Sequence, residues 1–309
     1  MQVDTSCIIS KEDVKIYKGK YYLPWFGNQG ASPSSKIATK KVVVLDLDET
    51  IGSFADLYIL WCGIRHGENH ADLFNPLCDL YPEFFRYGMI TILEYLYSQK
   101  LQKECDKLFI YTNNQCPGKW VYSIAEYLER KVKSGYRKMP KQPLFDKIIG
   151  AFKINNKPFE TCRSSHVKKL DDFLRCSLVS ENADICFVDD VHYPTMKSAK
   201  VYYICPRPFI HHLNTHTIIQ RLLTVKWLPR GLLQCESFWK DWFSIHYYKM
   251  GRSKGKSRKK KHIKNSVEVE LDLQVSQKLI YHLKEFMLWG MKSPNLPDLP
   301  PGDGASPDV

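Results

Sequence analysis

Four short runs of the chain are apolar at almost every position rather than at every second one, and they cover residues 42–45, 108–111, 185–188 and 201–204. Strands that are covered on both faces of a parallel sheet have this pattern. Helical periodicity fills stretches between them, over residues 90–97, 120–132 and, more weakly, 167–176. The alternation predicts an α/β fold, an open parallel sheet flanked by helices with right-handed crossovers.

Different patterns flank this unit. The predicted segments are an N-terminal extension (1–39), the α/β domain (40–215), an aromatic helical segment (216–248), a basic linker (249–267), a small strand-helix element (268–292) and a disordered tail (293–309). A high density of aromatic rings at the end of a domain favours a helix packed onto the core over a base-stacking surface. The linker is expected to be flexible because it is charged and glycine-containing.

Net charge is the unusual feature of the composition: 45 Lys and Arg against 33 Asp and Glu give +12. Such a charge is compatible with a nucleic-acid binder, a membrane-surface protein or an enzyme for anionic substrates. Nine of the basic residues lie in the run that starts at Lys249 and ends at Lys264, which contains no acid. The rest of the chain therefore carries only a small net charge, and the basic run is interpreted as a separable contact for nucleic acid or an import factor.

The chain shows no apolar run long enough to cross a membrane and no secretory leader, so an intracellular protein, nuclear or cytoplasmic, is expected without membrane contact. Ten cysteines are scattered without a CxxC pair, which favours reduced thiols over a zinc site or a disulfide framework. None of the ten has an arginine six positions later, so cysteine-dependent phosphatase chemistry is excluded.

Polar residues follow three of the four apolar runs at once. Asp46 and Asp48 follow the first run, Thr112 the second, and Asp189 and Asp190 the third. The carboxyl ends of parallel strands meet at one edge of a sheet, where functional groups of open α/β folds lie. Converging carboxylates repel one another unless a cation neutralises them, and hard oxygen ligands favour Mg²⁺.

This arrangement predicts phosphoryl-transfer chemistry. Asp46 can attack phosphorus and form an aspartyl-phosphate, while Asp48 protonates the leaving oxygen and later accepts a proton from water. The transferred group also needs hydrogen-bond donors. Thr112, the main-chain amides beside it, including that of Asn113, and either Lys168 or Lys169 are the candidates.

The segment 42–50, with Asp46, Asp48 and Thr50 in a DxDxT pattern, resembles the signature of the haloacid dehalogenase superfamily. Its DLDET form is similar to that of the aspartate-based phosphatases of the RNA polymerase II C-terminal domain. Further similarities follow in order, namely Arg86-Tyr87-Gly88, residues 108–112, Lys168 with Leu170, and residues 187–190. The resemblance covers residues 40–208, and it implies a Rossmann-like sheet.

The resemblance also implies roles. Asp46 would be the nucleophile, Asp48 the general acid and base, and Thr112 and Lys168 would bind the phosphoryl group. Mg²⁺ would be held by the Asp46 side chain, the Asp48 main-chain carbonyl, Asp189 and Asp190. An acid at position 48 distinguishes the phosphohydrolases of the superfamily from its dehalogenases and ion pumps.

The leading hypothesis is a Mg²⁺-dependent phosphatase acting on phosphoserine or phosphothreonine in proteins, with a substrate similar to the C-terminal domain of RNA polymerase II. A nucleic-acid 3′-phosphatase is the first alternative, although Glu49 favours the protein-directed form, since nucleotide-directed members more commonly have glycine there. The second alternative is a catalytically silent, transcription-associated binding module that uses the basic run. Four clustered carboxylates argue against a silent site, because they are costly to keep together without a function.

Overall fold

A computed structural model describes residues 13–19, 40–66, 70–254 and 264–289. The strands are β1 (Val14–Lys18), β2 (Lys41–Leu45), β3 (Lys107–Tyr111), β4 (Lys147–Ile149), β5 (Lys153–Ile154), β6 (Lys157–Pro158), β7 (Asp184–Val188) and β8 (Val201–Pro206). The central sheet has the order β1-β8-β7-β2-β3-β4, and all its neighbours are parallel except β1, which runs antiparallel to β8. Strands β5 and β6 form a separate hairpin.

The helices are α1 (Ala55–Ile64), α2 (Phe74–Leu80), α3 (Met89–Leu101), α4 (Trp120–Lys133), α5 (Leu170–Ser177), α6 (Thr215–Leu223), α7 (Glu236–Lys254) and α8 (Ser266–Leu288). The four predicted strands are β2, β3, β7 and β8, and the three predicted helices are α3, α4 and α5. The predicted α/β class, with a mostly parallel sheet flanked by helices, is confirmed.

Two hydrophobic cores lie on opposite faces of the sheet, and β2 shows why its sequence is apolar throughout. Val43 and Leu45 point into the larger core, which the α1–α4 and α6–α8 helices cover, while Val42 and Val44 point into the smaller core beside α5. All four side chains are buried. Burying each such side chain contributes roughly 1.5–3 kcal/mol, so a polar residue at any of these positions would be costly.

The aromatic segment (216–248) contains most of α6 and the first part of α7, and its aromatic residues on α7 pack onto the core as predicted. Trp239 and Phe243 are buried in the larger core. Trp242 donates a hydrogen bond from Nε1 to the carbonyl oxygen of Ile59, on α1, at 3.0 Å. The helix extends to Lys254, so the beginning of the predicted linker is helical. Residues 255–263 of that linker, and the predicted tail 293–309, lie outside the described residues.

The predicted strand at the start of the last segment (268–292) is wrong, because residues 266–288 form a single helix, α8. Its first turn is closed by a capping box in which Asn265 and Glu268 satisfy each other's backbone N–H groups. The apolar positions that decide the packing are Val275, Leu279, Leu283 and Phe286, which are buried at helical spacing. Val267, which seemed to begin a strand, is exposed.

One further element departs from the sequence prediction. Cys162 and Cys176 form a disulfide bond, so the expectation of reduced thiols throughout is wrong for this pair. Their partnership arises from the fold, since α5 brings Cys176 back to the loop that holds Cys162.

Among the described residues, no helix is long and apolar enough to cross a membrane.

Candidate active site

The site lies beside β2, where the order in which the chain adds strands to the sheet reverses. From β2 the chain proceeds through β3 to β4 on one side, whereas β7 and β8 are added on the other side. Backbone hydrogen bonds extend the sheet by one residue past three strand ends, from Asp46 N to Val188 O (2.8 Å), Thr112 N to Ile149 O (3.0 Å) and Asp189 N to Ile204 O (3.2 Å). The predicted site residues are thus fixed by the main chain at one edge, as expected for a crevice at the carboxyl ends of strands.

A buried lysine joins two of the predicted carboxylates. Lys168 lies just before α5, and its Nζ is 2.5 Å from Oδ1 of Asp46 and 2.5 Å from Oδ2 of Asp189. Its side chain is only 1% exposed. Lys169 points away and contacts the Ser164 hydroxyl at 3.1 Å on the surface. Of the two candidate lysines, Lys168 is therefore the one that contacts the predicted carboxylates.

Three carboxylates form a group that could hold a metal ion. Oxygens of Asp46, Asp189 and Asp190 all lie within 4.8 Å of one another. Asp46 and Asp189 are buried, and Asp190 is half-buried. With one lysine among them, the group keeps an excess of negative charge that a cation would neutralise, and its donors are all hard oxygens. These residues therefore fit the predicted metal site.

The pKa shifts have physical causes in the same group. Burial, together with the charge of Asp46, raises the pKa of Asp190 to about 6. Burial also raises the pKa of the Asp189 carboxyl above its ordinary value, against the opposing effect of Lys168. Burial alone would lower the pKa of Lys168, but the Asp189 and Asp46 carboxylates raise it. The lysine is thus held in its charged form.

Asp48 lies apart from the three-carboxylate group and has a different environment. Desolvation, and then the charge of Asp46, raise the pKa of Asp48 to about 7. A carboxyl that titrates near neutrality can both donate and accept a proton, which general acid–base catalysis requires. Asp46, the predicted nucleophile, and Asp48, the predicted general acid and base, thus lie in different environments. The role of the Asp48 main-chain carbonyl as a metal ligand stays a prediction.

The loop that carries Asp48 is held by an arginine whose role the sequence did not indicate. Arg86 is 1% exposed, and it donates from Nε to the Thr50 carbonyl oxygen (2.6 Å) and from Nη2 to the carbonyl oxygens of Glu49 (2.7 Å) and Arg207 (2.9 Å). Glu49 has a φ of 63°, in the left-handed region that costs energy for a residue with a side chain. The guanidinium therefore stabilises a turn that would otherwise be unfavourable.

Thr50 connects this loop to β7. Its hydroxyl donates to Oδ1 of Asp190 at 3.0 Å and accepts the Asp190 backbone N–H at 3.0 Å. These two hydrogen bonds fix Asp190, the least buried of the three carboxylates that could hold a metal ion.

After β3, the three consecutive polar residues have distinct partners. The Thr112 hydroxyl accepts the backbone N–H of Asn114 at 2.9 Å. Asn113 donates from Nδ2 to the Tyr193 hydroxyl at 3.1 Å and accepts at Oδ1 from Arg163 at 2.8 Å. The side chain of Asn113 is thus committed to structure, so its predicted phosphate contact would have to come from its backbone amide.

Arg163 is a buried residue that sequence reasoning missed. It is 3% exposed and donates from Nη1 to the carbonyl oxygens of Thr112 (3.0 Å) and Gly150 (2.7 Å). It lies in the long connection between β3 and Lys168, where no local pattern indicates a function. Its contacts tie that connection to the residues that end β3.

The chain was compared with known proteins by family model, by sequence and by structure. No family model, curated protein or solved structure matches it.

Proposed function

We propose that this protein is a Mg²⁺-dependent phosphatase that hydrolyses phosphoserine or phosphothreonine in proteins through an aspartyl-phosphate on Asp46. The observation that carries the proposal is Lys168, buried between Asp46 and Asp189 at 2.5 Å from each. A buried lysine that holds a carboxylate at the end of a parallel strand suits a site in which that carboxylate meets a phosphate dianion.

In the first step, the Asp46 oxygen that is not held by Lys168 attacks phosphorus and forms a new P–O bond, while the bond from phosphorus to the substrate oxygen breaks. Asp48 transfers its proton to that leaving oxygen. Lys168 and the Thr112 hydroxyl donate hydrogen bonds to the phosphoryl oxygens, whose charge is spread in the transition state.

In the second step, a water molecule attacks the phosphorus of the aspartyl-phosphate, and Asp48, now a carboxylate, accepts its proton. The bond between phosphorus and Asp46 breaks, which releases inorganic phosphate and restores the site. Asp46, Asp189 and Asp190 would hold Mg²⁺, which would neutralise charge on the phosphoryl group when bound.

The choice of a protein substrate rests on the resemblance, in which Glu49 belongs to the DLDET form. The basic run from Lys249 to Lys264 keeps the 3′-phosphorylated end of a nucleic acid as the alternative substrate. The two candidate substrates are distinguished by comparing turnover of a phosphoserine peptide with turnover of a 3′-phosphorylated oligonucleotide at equal concentration. We expect turnover of the peptide to exceed that of the oligonucleotide at least tenfold.

The activity itself is tested with a generic aryl phosphate in the presence and absence of Mg²⁺. Asp46→Asn should abolish hydrolysis, whereas Asp171→Asn, a matched change at an exposed acid of α5, should leave it unchanged. Beryllium fluoride with Mg²⁺ should give an aspartyl-phosphate mimic bonded to Asp46. Full activity of Asp46→Asn would contradict the proposal.

A further inference from the structure

Asn114 connects the ends of two neighbouring strands. It lies in the loop after β3, and its Nδ2 donates to Oδ2 of Asp48, in the loop after β2, at 2.8 Å. Its Oδ1 accepts the backbone N–H of Cys116 at 2.9 Å, and its own backbone N–H donates to the Thr112 hydroxyl at 2.9 Å. These three polar groups of the half-buried residue have partners, and two of the partners are candidate site residues.

The contact with Cys116 fixes which way the amide points. A backbone N–H can only donate, so it must face the carbonyl oxygen of the Asn114 side chain. The NH₂ group is then left for Asp48, and it too can only donate. Oδ2 of Asp48 is consequently an acceptor, and when the carboxyl is neutral its proton resides on Oδ1.

The contact with Thr112 has a similar consequence. Because the threonine oxygen accepts the Asn114 N–H, its own hydrogen points elsewhere and can be donated within the crevice. A single residue thus sets the direction of two hydrogen-bonding groups, the Thr112 hydroxyl and the Asp48 carboxyl.

We propose that Asn114 is a positioning residue, which directs the Oδ1 proton of Asp48 toward the leaving oxygen. The inference rests on the proposed phosphatase function. As the bond between phosphorus and the leaving oxygen breaks, the proton on Oδ1 passes to that oxygen, and the negative charge left on Asp48 is stabilised by the Nδ2–H group of Asn114. A hydrogen bond that strengthens with developing charge favours the transfer.

The test compares two esters that differ in their need for a proton. p-Nitrophenolate leaves readily without protonation, whereas the serine alkoxide of a phosphoserine peptide does not. In Asn114→Leu, which keeps the backbone N–H to Thr112 but lacks the amide, we expect kcat/KM for the phosphopeptide, which reports the steps up to aspartyl-phosphate formation, to fall by about 100-fold, within the range that general acid catalysis supplies. With p-nitrophenyl phosphate the decrease should stay below about threefold, since general acid catalysis contributes little there.

A matched change at the exposed Asn182, Asn182→Leu, should leave both rates unchanged. Asn114→Ala provides a second variant, and circular dichroism with thermal melting shows that each variant is folded. Equal loss on both esters, or no loss on either, in a folded variant of an active enzyme would overturn the role of Asn114 alone. A wild-type chain that hydrolyses neither ester would overturn the proposed function and the inference with it.

Discussion

Replacing Lys168 with methionine removes the positive charge between Asp46 and Asp189 and keeps a side chain of similar length. At 2.5 Å and an effective dielectric constant of about 20, each ion pair has a Coulomb energy of about 7 kcal/mol. Most of this energy is offset by the cost of removing the ions from water. Loss of one partner of a buried pair costs about 3–5 kcal/mol in measured cases, so we expect a decrease of that size in the free energy of unfolding at pH 8.

The size of the decrease should depend on pH in a defined direction. Without the ammonium group, the Asp46 and Asp189 carboxylates repel each other, and the pKa of Asp189, which Lys168 lowers in the wild type, rises further. A carboxyl whose folded pKa is raised destabilises the protein only where it is ionised. The destabilisation of Lys168→Met should thus be smaller at pH 5, where the Asp189 carboxyl binds a proton, than at pH 8.

Urea unfolding in EDTA at the two pH values measures this difference. Lys169→Met is the matched control, and since the Lys169 amine lies on the surface it should change the free energy of unfolding by no more than about 0.5 kcal/mol. An equal loss at pH 5 and pH 8, or an equal loss in the two variants, would refute the electrostatic reasoning. Added Mg²⁺ should stabilise Lys168→Met more than the wild type, because the site then carries one more negative charge.

Further predictions concern the carboxyls, the buried arginine and the disulfide. The pKa values of Asp48 (about 7) and Asp190 (about 6) are raised, so these carboxyls bind protons more tightly in the folded protein than in the unfolded one. The free energy of unfolding of the metal-free protein, followed by urea titration, should therefore fall as the pH rises from about 4 to about 7. A curve that rises throughout this range would contradict the assignment. Arg86→Met removes three hydrogen bonds to backbone carbonyls and should cost at least about 3 kcal/mol by the same assay, whereas Arg137→Met, at an exposed position, should cost almost nothing. The disulfide closes a loop across 14 residues, so Cys176→Ser should lower stability by about 3 kcal/mol, and a reductant should lower the melting temperature of the wild type but not of the variant.

The sequence was informative where burial on both sides of a strand dictates its residues. The run before Asp46 is apolar throughout because its side chains alternate between two cores, and this pattern could not be mistaken for a surface strand. The same reasoning predicted where Thr112 and Asp189 lie, since the end of an apolar run in a parallel sheet marks the functional edge.

Residues that act across long distances in sequence could not be found in this way. Arg163 contacts Thr112 from 51 positions away, and Asn114 contacts Asp48 from 66 positions away. Neither has a local signature, because an arginine or an asparagine in a loop is ordinarily a surface residue. The choice of Lys168 over Lys169 similarly depended on where α5 begins, which sequence periodicity does not define to one residue.

The predicted strand in residues 267–275 failed for a different reason. Apolar residues alternate there with polar ones, but one of the polar positions, Asp272, is buried, and Lys264 forms an ion pair with it. The ion pair with Lys264 offsets part of the free-energy cost of burying Asp272. The inner face of the helix can therefore include an acid, and the helical period of 3.6 residues is obscured in the sequence. The capping box before α8 was the available local signal for a helix.

That ion pair also attaches Lys264, the last residue of the basic run, to the folded core. The first six residues of the basic run belong to α7, and both α7 and the following α8 contribute side chains to the larger core. At the end of the basic run, the Lys264 amine lies 4.8 Å from the centre of the Phe209 ring, and the guanidinium of Arg86 lies 5.5 Å from the same ring. The Phe209 N–H donates to the Glu49 carbonyl oxygen at 2.8 Å. Lys264, the last residue of the basic run, is therefore attached, through one aromatic residue, to the loop that presents Asp48.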